Sequence, residues 1–314
     1  MLDHRRTVRW RVCVSEPLSL HHQALITQAL ARFQRDQGEH CLSDHSFANF
    51  YLFRQAHQYR FVDGEWPCLT GVSYDGQACV WPLFDVTQMP WDRLQTWCRQ
   101  LNLPQSVLFP LSASQVQGWG HLGAGCEAHR NDADYVYAAD QFRHYQGSVL
   151  NKKRNLVRQL LSAHTLTVQA YDHSCASGAQ AVLADWMRAK GKATGEADQG
   201  PCLEALQLYA QLGLHGFFYQ ADGQAAGFVL AESLAPGVWV MRFAKGMDHL
   251  KGIYQYMFQQ VCQAHPNLHW LNFEQDLGVE NLRQTKLSYQ PTHLLAKYRL
   301  RLSQLLADSL VRNP

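Results

Sequence analysis

The stretch LHWLNFEQDLGVENLRQTKLSY, residues 268 to 289, changes from apolar to charged within a few residues. Residues 268–273 are apolar and aromatic, which favours a buried strand, and Glu274 and Asp276 follow where that strand is expected to end. Gly278 marks a turn, and residues 279–287 are typical of a short helix. The end of a strand in an open α/β sheet often holds a ligand, because side chains there are fixed by the sheet yet reach solvent. This stretch is therefore the first candidate for a functional site.

The charged side chains of this stretch allow two interpretations. In the functional one, Glu274 removes a proton from an acceptor, Asp276 binds a substrate ammonium group or orients a base of the following helix, and Tyr289 protonates the leaving group. The residues expected to orient a substrate are Asn272, Arg283 and Lys286. In the structural one, the charges form surface ion pairs worth ~0–1 kcal/mol each, or Glu274 and Arg283 form a buried pair that fastens strand to helix.

Residues 141–165 are expected to form a basic helix that connects two domains. Between Gln141 and Tyr171 the chain carries five Lys or Arg residues and no Asp or Glu. A solvated helix face explains most basic helices, but the absence of compensating acids favours an anion site here. A further contact with phosphate is expected at Lys251 and Gly252, where N–H groups at a helix start are free. The residues of the basic helix expected to contact a phosphate-rich donor are Lys152, Lys153, Arg154 and Asn155.

Length and composition describe a globular chain with two domains. The 314 residues exceed the size at which single cores usually stop growing, 46% are hydrophobic, and the net charge is +2. Nucleic-acid binding would therefore need a local basic patch. Nine cysteines show no CxxC pair, which predicts reduced thiols and no metal site. Because no run of about 18 apolar residues occurs, we expect a soluble, cytoplasmic protein without a transmembrane segment.

Turn signals predict the same order of elements in both halves of the chain. Asp63-Gly64 and Asp75-Gly76 separate three strand-like runs in the first half, and Asp222-Gly223 and Pro236-Gly237 do the same in the second. Each half is predicted to contain a helix pair, a three-stranded meander, a helix, a strand, a helix and a final strand. This is the order of the GNAT acyltransferase fold.

The predicted class is α+β, with tandem GNAT-like domains that are each a mixed, mostly antiparallel sheet flanked by helices. The expected domains are residues 1–140 and residues 166–314, the second of which carries the active site. The final strand is expected over residues 293–302, where apolar residues alternate with Lys297 and Arg299. This alternation predicts an antiparallel strand with one apolar face.

Three segments of the chain match a known family in their expected order. The last segment comprises Phe273-Glu274-Gln275-Asp276-Leu277-Gly278, Leu282-Arg283, Lys286-Leu287-Ser288-Tyr289 and Pro291. The upstream segments are Asp134-Tyr135-Val136-Tyr137 with Gly147 and Lys152-Lys153-Arg154-Asn155, and a weaker one from Ser43 to Tyr51. On these motifs the chain resembles the phosphatidylglycerol lysyltransferase C-terminal domain family, also catalogued as a domain of unknown function. The resemblance implies paired GNAT-like domains and lysyl or alanyl transfer to phosphatidylglycerol.

The expected activity follows from what acyl transfer requires, namely a cradle for a phosphate-rich donor, stabilisation of an oxyanion and a base. Between Arg242 and Tyr254 the chain matches the glycine-rich pyrophosphate turn of acyl-CoA enzymes poorly, which favours aminoacyl-tRNA over acyl-CoA as the donor. We expect an aminoacyltransferase with no tightly bound cofactor, with tRNA as a partner and an amine or hydroxyl of a small-molecule or lipid acceptor. The alternatives are an acyl-CoA-dependent N-acyltransferase and a non-catalytic RNA- or anion-binding module.

Overall fold

The computed structural model describes residues 15–34, 37–119 and 125–307, in which two seven-stranded mixed sheets are flanked by helices. The strands are β1 Ser15–Pro17, β2 Arg60–Val62, β3 Cys68–Val72, β4 Ala78–Pro82, β5 Val107–Leu111, β6 Glu127–Ala128, β7 Asp134–Ala138, β8 Leu166–Ala170, β9 Leu214–Ala221, β10 Gln224–Ala235, β11 Val238–Gly246, β12 Trp270–Asn272, β13 His293–Leu295 and β14 Tyr298–Arg301. The helices are α1 Gln23–Gln34, α2 Phe47–Leu52, α3 Trp91–Leu101, α4 Ala113–Gly118, α5 Ala139–His144, α6 Asn151–Ala163, α7 Ala176–Ala189, α8 Gln199–Leu208, α9 Ile253–Ala264, α10 Glu280–Leu287 and α11 Leu302–Ala307.

Both predicted meanders are present. In the first sheet β2, β3 and β4 pair antiparallel in succession, and in the second β9, β10 and β11 do the same. The turn between β9 and β10 has positive φ at Asp222 (51°) and Gly223 (78°), the conformation that an Asp-Gly hairpin turn requires. Local turn chemistry therefore determines these parts of the fold.

The two sheets exchange one strand each, which the order of elements did not predict. The first sheet has the order β1-β2-β3-β4-β5-β14-β6, and the second has the order β13-β7-β12-β11-β10-β9-β8. Strand β7 thus leaves the first half of the chain to pair with β12 and β13, and β14 returns from the chain end to pair with β5 and β6. Val136 and Tyr137 are both fully buried, so β7 needs cover on both faces. The domain limits at residues 140 and 166 stay a prediction, but the sheets do not follow them.

Two predicted elements are divided in the structure. The prediction of one continuous basic connecting helix is wrong, because α5 and α6 are separated by Tyr145 and Gly147, which have φ of 47° and 84°. Left-handed backbone of this kind ends a helix. The final strand is likewise split into β13 and β14, which belong to different sheets.

The core joins the two halves of the chain. One cluster of buried residues contains Phe50 and Trp81 from the first half together with Phe228 and Leu230 from the second. Within the described ranges, no helix combines the length and the apolar composition needed to cross a bilayer. The strand exchange and the shared core place the end of β12 directly against the first sheet.

Candidate active site

The backbone that follows β12 is held in an unusual conformation. Glu274 has a φ of 58°, in the left-handed region that residues with side chains rarely adopt. Asn272 Oδ1 accepts a hydrogen bond from the Glu274 amide at 2.7 Å. Lys286 Nζ donates to the carbonyl oxygen of Gln275 at 2.6 Å and to that of Glu274 at 3.3 Å. Two of the residues expected to orient a substrate, Asn272 and Lys286, therefore fix the direction of the Glu274 side chain.

A bulge in β11 supplies the partner of Glu274. In the pairing of β10 with β11, Leu230 faces Phe243 and Ala231 faces Met241, so Arg242 between them has no partner residue. The Arg242 guanidinium donates to Glu274 Oε1 at 2.5 Å and to Glu232 Oε2 at 3.0 Å. One buried cation thus holds two carboxylates and bridges β11 to the residues after β12.

Burial raises the pKa of Glu274, although the charges of Arg242 and Lys286 oppose the effect. A carboxyl group with a raised pKa is a better general base than an ordinary glutamate, because its proton affinity lies closer to that of the groups it must deprotonate. Burial also lowers the pKa of the Lys286 ammonium. The environment of Glu274 is therefore compatible with the predicted role of a base.

A buried lysine organises a second cluster beside this one. The Lys297 side chain is 0% exposed, and its ammonium contacts Asp44 and, at 2.6 Å, Asp134. It also donates to Ser43 Oγ at 3.1 Å and to Gln275 Oε1 at 3.0 Å. Burial by itself lowers the pKa of Lys297, but the two carboxylates outweigh it and raise the pKa overall. Lys297 was expected on the polar side of a one-sided strand, and that expectation is wrong, because the second sheet covers this side.

A third cation is arranged in the same way. Arg299, also buried, donates from Nε to Asp132 at 2.8 Å and from Nη1 to Asp75 at 2.7 Å. Asp132 lies two residues before the start of β7, and Asp75 lies in the turn between β3 and β4. The contacts of Lys297, which precedes β14, and of Arg299 therefore join the end of the described chain to β7 and to loops of the first half.

Among the described residues, a cavity of about 120 Å³ lies where these clusters meet. The parallel pairing of β4 with β5 ends at Val80 and Leu108, and the next residues, Trp81 and Phe109, line the cavity. The lining side chains with rings are Phe53, His57, Tyr59, Tyr74, Trp81 and Phe109. The lining carboxylates are Asp44, Asp132 and Glu274. The cavity is therefore composite, with one wall from the first sheet and another from the end of β12.

The ion pairs around this cavity leave negative charge in excess. Three cations each hold two carboxylates, in the sets Arg242 with Glu232 and Glu274, Lys297 with Asp44 and Asp134, and Arg299 with Asp75 and Asp132. Each set contributes one carboxylate to the cavity lining, and the single ammonium of Lys286 does not cancel the excess. Burial lowers the pKa of His57, so this lining ring is uncharged near neutral pH. The cavity is therefore suited to a cation.

The predicted acid Asp276 has a different position from Glu274. It is fully buried, and Arg283 donates to both of its oxygens at 2.9 Å, the contact expected if Asp276 orients Arg283. Tyr135 donates its hydroxyl at 2.5 Å, and the Gly278 amide donates at 2.9 Å. Burial raises the pKa of Asp276, but the bonds from Arg283 and Tyr135 outweigh burial and hold the pKa well below its usual range. Asp276 thus keeps its charge and fixes the turn, and it does not line the cavity.

Tyr289 lies away from the cavity. It is buried in an aromatic cluster with Phe142, Phe258 and Phe273, and its hydroxyl accepts a hydrogen bond from Gln255 at 2.7 Å. Burial raises the pKa of Tyr289. The hypothesis that Tyr289 protonates the leaving group does not fit this placement.

The residues expected to contact the donor fall into two groups. Lys153 donates to Ser288 Oγ at 2.7 Å, and Arg154 donates to the Tyr145 carbonyl at 3.0 Å, so both are engaged within the chain. The residues of this set that are exposed are Lys152, Asn155 and Lys251. Arg158 of α6 is exposed as well.

Gly252, the N-cap of α9, packs against α6. It has a φ of 99°, and a Cβ added there would lie 2.4 Å from the Leu156 carbonyl oxygen. Gly252 is therefore required for the packing of the two helices, and α6 covers the helix start that was expected to meet phosphate.

The sequence contained signals for the residues that were missed. Arg242 is the one charged residue in the apolar run VWVMRFA of residues 238–244, and Asp44 lies in the weakest of the three family-like segments. The partners of both come from distant parts of the chain. Local patterns could therefore mark these residues but could not pair them.

Comparison with known proteins agrees with this architecture. The family model for the C-terminal part of phosphatidylglycerol lysyltransferase matches residues 35–301. A conserved protein of unknown function from Bacteroides thetaiotaomicron has a TM-score of 0.77 at 18% identity, over 91% of this chain and 98% of that chain. No curated protein matches the sequence.

Two further solved structures are similar at lower scores. The C-terminal domain of a protein described as a lysylphosphatidylglycerol synthetase from Agrobacterium fabrum has a TM-score of 0.62 at 13% identity, over 92% of this chain and 97% of that one. L-PGS from Bacillus licheniformis has a TM-score of 0.60 at 13% identity, over 94% and 96%. At these identities the likeness concerns the fold, and the expected α+β class with tandem GNAT-like sheets is confirmed.

Proposed function

The chain belongs to the phosphatidylglycerol lysyltransferase C-terminal family, and from this premise we propose that it transfers an aminoacyl group from aminoacyl-tRNA to an amine or hydroxyl of a lipid or small-molecule acceptor. The family description names a lipid acceptor for its members. A small-molecule acceptor is equally compatible with this chain, because the cavity is proposed to bind the transferred aminoacyl group and not the acceptor. No tightly bound cofactor takes part.

The observation that carries the proposal is the excess negative charge around an aromatic cavity. An aminoacyl ester carries a free α-ammonium group, whereas an acetyl or fatty acyl group has no charge. Aromatic faces attract cations by about 0.5–2 kcal/mol, and the three lining carboxylates face the same space. An acyl group with an ammonium therefore fits the cavity better than an uncharged one.

Glu274 is the proposed base, because it is the lining carboxylate at the strand end with a raised pKa. The acceptor nitrogen or oxygen forms a bond to the ester carbonyl carbon and gives up its proton to Glu274. The bond from that carbon to the ribose oxygen of the tRNA then breaks, and the ribose oxygen takes up the proton. Direct transfer of this kind needs no covalent acyl-enzyme.

Two features of the second sheet favour tRNA over acyl-CoA as the donor. A bulged fourth strand beside Val240 to Lys245 is the feature expected of an acyl-CoA-dependent enzyme, and β11 is bulged there at Arg242. The Arg242–Glu274 ion pair, however, occupies the space between β11 and the end of β12, where pantetheine would lie. At the start of α9, Gly252 packs against α6, and the Gly246 amide donates to the Tyr254 hydroxyl at 3.2 Å. Pantetheine and pyrophosphate would therefore have to displace internal contacts.

The exposed cations of α6 are the proposed contact for tRNA phosphates. Lys152 and Arg158 are exposed on this helix, and Lys251 precedes Gly252, which touches α6. The segment from Gln141 to Tyr171, which includes α6, contains no Asp or Glu. Because each phosphate contact releases counterions, binding through this surface should weaken steeply with salt.

The test compares the two donors on one protein. We expect aminoacyl-tRNA to be retained on filters with a strong dependence on salt, and acetyl-CoA to give no heat in calorimetry. The double variant Lys152→Glu with Arg158→Glu should reduce the dependence of log affinity on log salt by about 1.4–1.8. The control Arg93→Glu with Arg188→Glu makes the same charge change at exposed positions of α3 and α7 and should leave the salt dependence unchanged.

Three results would contradict the proposal. Binding of acetyl-CoA alone would indicate the acyl-CoA-dependent N-acyltransferase. Binding of tRNA without any transfer to lipid or small-molecule acceptors would indicate the non-catalytic RNA-binding module. An equal loss of tRNA binding in the control variant would show that α6 is not the contact.

A further inference from the structure

We propose that Glu16, His21 and His22 form a binding site for a divalent transition-metal ion, with Zn²⁺ as the best match. The three residues lie at the edge of the first sheet, where β1 is followed by the short 3-10 turn Leu20–His22 that leads into α1. None of them lines the cavity of the proposed active site. This proposal departs from the expectation of no metal site, which was based on the cysteine spacing, because the cluster consists of imidazole and carboxylate groups.

The spacing of the donor atoms matches a tetrahedral zinc site. One donor atom of each residue lies within 4.8 Å of the other two. Glu16 Oε1 is 3.4 Å from His21 Nε2 and 2.9 Å from His22 Nε2. Ligands bound tetrahedrally at about 2.1 Å are about 3.4 Å apart. The ion would therefore need only small side-chain movements to bind all three atoms.

Ser19 holds both imidazole rings from the side opposite the metal. Its Oγ lies 2.6 Å from His21 Nδ1, its amide donates to His22 Nδ1 at 3.1 Å, and its carbonyl oxygen lies 3.2 Å from that same nitrogen. A metal-bound histidine usually donates its other N–H to an oxygen of this kind, which fixes the tautomer and the ring orientation. Nε2 of both rings lies near Glu16, so the rings are already oriented for a metal. At His22 the Ser19 amide donates to Nδ1, so metal binding through Nε2 would shift the ring proton to Nδ1, where the Ser19 carbonyl oxygen accepts it.

One ligand of the proposed site is buried and held in place, and the other two are accessible to solvent. The His22 side chain is 1% exposed, and its ring packs against Phe61 of β2 at a centroid distance of 4.7 Å. Glu16 and His21 are 47% and 65% exposed, so solvent reaches the cluster. A fourth position can therefore be taken by water, as in zinc sites with three protein ligands.

Metal binding would stabilise the edge of the first sheet. Strand β1 has only three residues and pairs only with β2 among the described strands. A metal held by Glu16 from β1 and by two histidines at the start of α1 would link the edge strand to the helix. Because such a site exists only in the folded chain, the ion should raise the melting temperature.

The test is titration of the tag-free, full-length protein with ZnCl₂, followed by calorimetry and thermal unfolding. We expect one ion per chain, a higher Tm, and loss of both effects in Glu16→Gln and in His21→Gln. These two side chains are 47% and 65% exposed, so their replacement should leave folding intact. Ser19→Ala, which removes the hydroxyl beside His21, should weaken binding by about 10–100-fold.

His129→Gln is the matched control, because His129 also lies near a glutamate, Glu127, but has no second histidine beside it. It should bind Zn²⁺ like the unchanged protein. Titration with CoCl₂ separates this site from the cysteines, since coordination by imidazole and carboxylate gives visible bands without thiolate charge transfer in the near ultraviolet. Absence of stoichiometric binding, binding that survives both Glu16→Gln and His21→Gln, or a thiolate band would each overturn the proposal.

Discussion

At the scale of single residues, the site depends on contacts between distant parts of the sequence. The strand end with Glu274 was predictable, because an apolar run that ends in acids has a local signature. Its partner was not, and the predicted alternative pair with Arg283 is replaced by the pair with Arg242. Arg242 points toward Glu274 because it is the bulged residue of β11, and the sequence does not indicate where a bulge falls.

Glu274→Gln is expected to slow aminoacyl transfer by about 10²–10⁴-fold while tRNA binding is retained, because the amide cannot accept the proton. The matched control is Glu232→Gln, which removes a carboxylate from the same guanidinium but does not line the cavity. Rates of transfer and filter binding, measured on both variants, check this expectation. Transfer at the unchanged rate by Glu274→Gln would exclude Glu274 as the base.

The pH dependence of transfer follows from the raised pKa of Glu274. Only the deprotonated carboxylate accepts a proton, so the rate should rise with pH and level off above that raised pKa, which exceeds the ordinary glutamate value of about 4.3. The rise should be missing from the residual activity of Glu274→Gln. A pH profile of kcat/KM for both proteins measures this, and identical profiles would contradict the assignment.

At the scale of elements, local chemistry predicted the turns and periodic helices but not the pairing of strands. Gly64, Gly76, Gly223 and Gly237 have positive φ in the turns between the meander strands, so both meanders followed from the sequence. The positions of β7 and β14 did not follow, since an apolar strand shows that it is buried but not which strand it pairs with. Lys297 was assigned to a solvent-facing side because the alternation of residues does not show that a second sheet covers that side.

Gly252→Ala should destabilise the protein more than Gly147→Ala does. Both glycines have positive φ, 99° and 84°, so alanine is strained at either position. Only at Gly252 would the added Cβ clash with the Leu156 carbonyl oxygen, while nothing lies within 4 Å at Gly147. The difference in unfolding free energy is expected to be at least about 1 kcal/mol. Equal losses in urea denaturation would mean that α6 can move away from α9.

At the scale of the whole molecule, the length, composition and net charge give no indication of the site. The net charge of +2 gives no sign that three buried cations each hold two carboxylates around one cavity. The tandem arrangement was visible in the repeated order of elements, whereas the cavity was not, because its walls come from both halves of the chain.

The strand exchange predicts that neither half folds alone. A fragment of residues 1–140 lacks β14, which lies between β5 and β6, and a fragment of residues 141–314 lacks β7, which lies between β13 and β12. Each sheet is then interrupted in its interior. We expect no cooperative thermal transition from either fragment and recovery of one when the two are expressed together. Cooperative unfolding of the fragment 141–314 alone would contradict this interpretation.

We propose that the composite cavity holds the ammonium of an aminoacyl group. Calorimetric titration with a panel of amino-acid amides, each paired with the same amide lacking the α-amino group, tests it directly. We expect that at least one amide binds, that its des-amino counterpart does not, and that Asp44→Asn weakens the binding, since Asp44 lines the cavity and is one of the excess carboxylates. Equal binding of both members of every pair, or no binding by any amide, would contradict it.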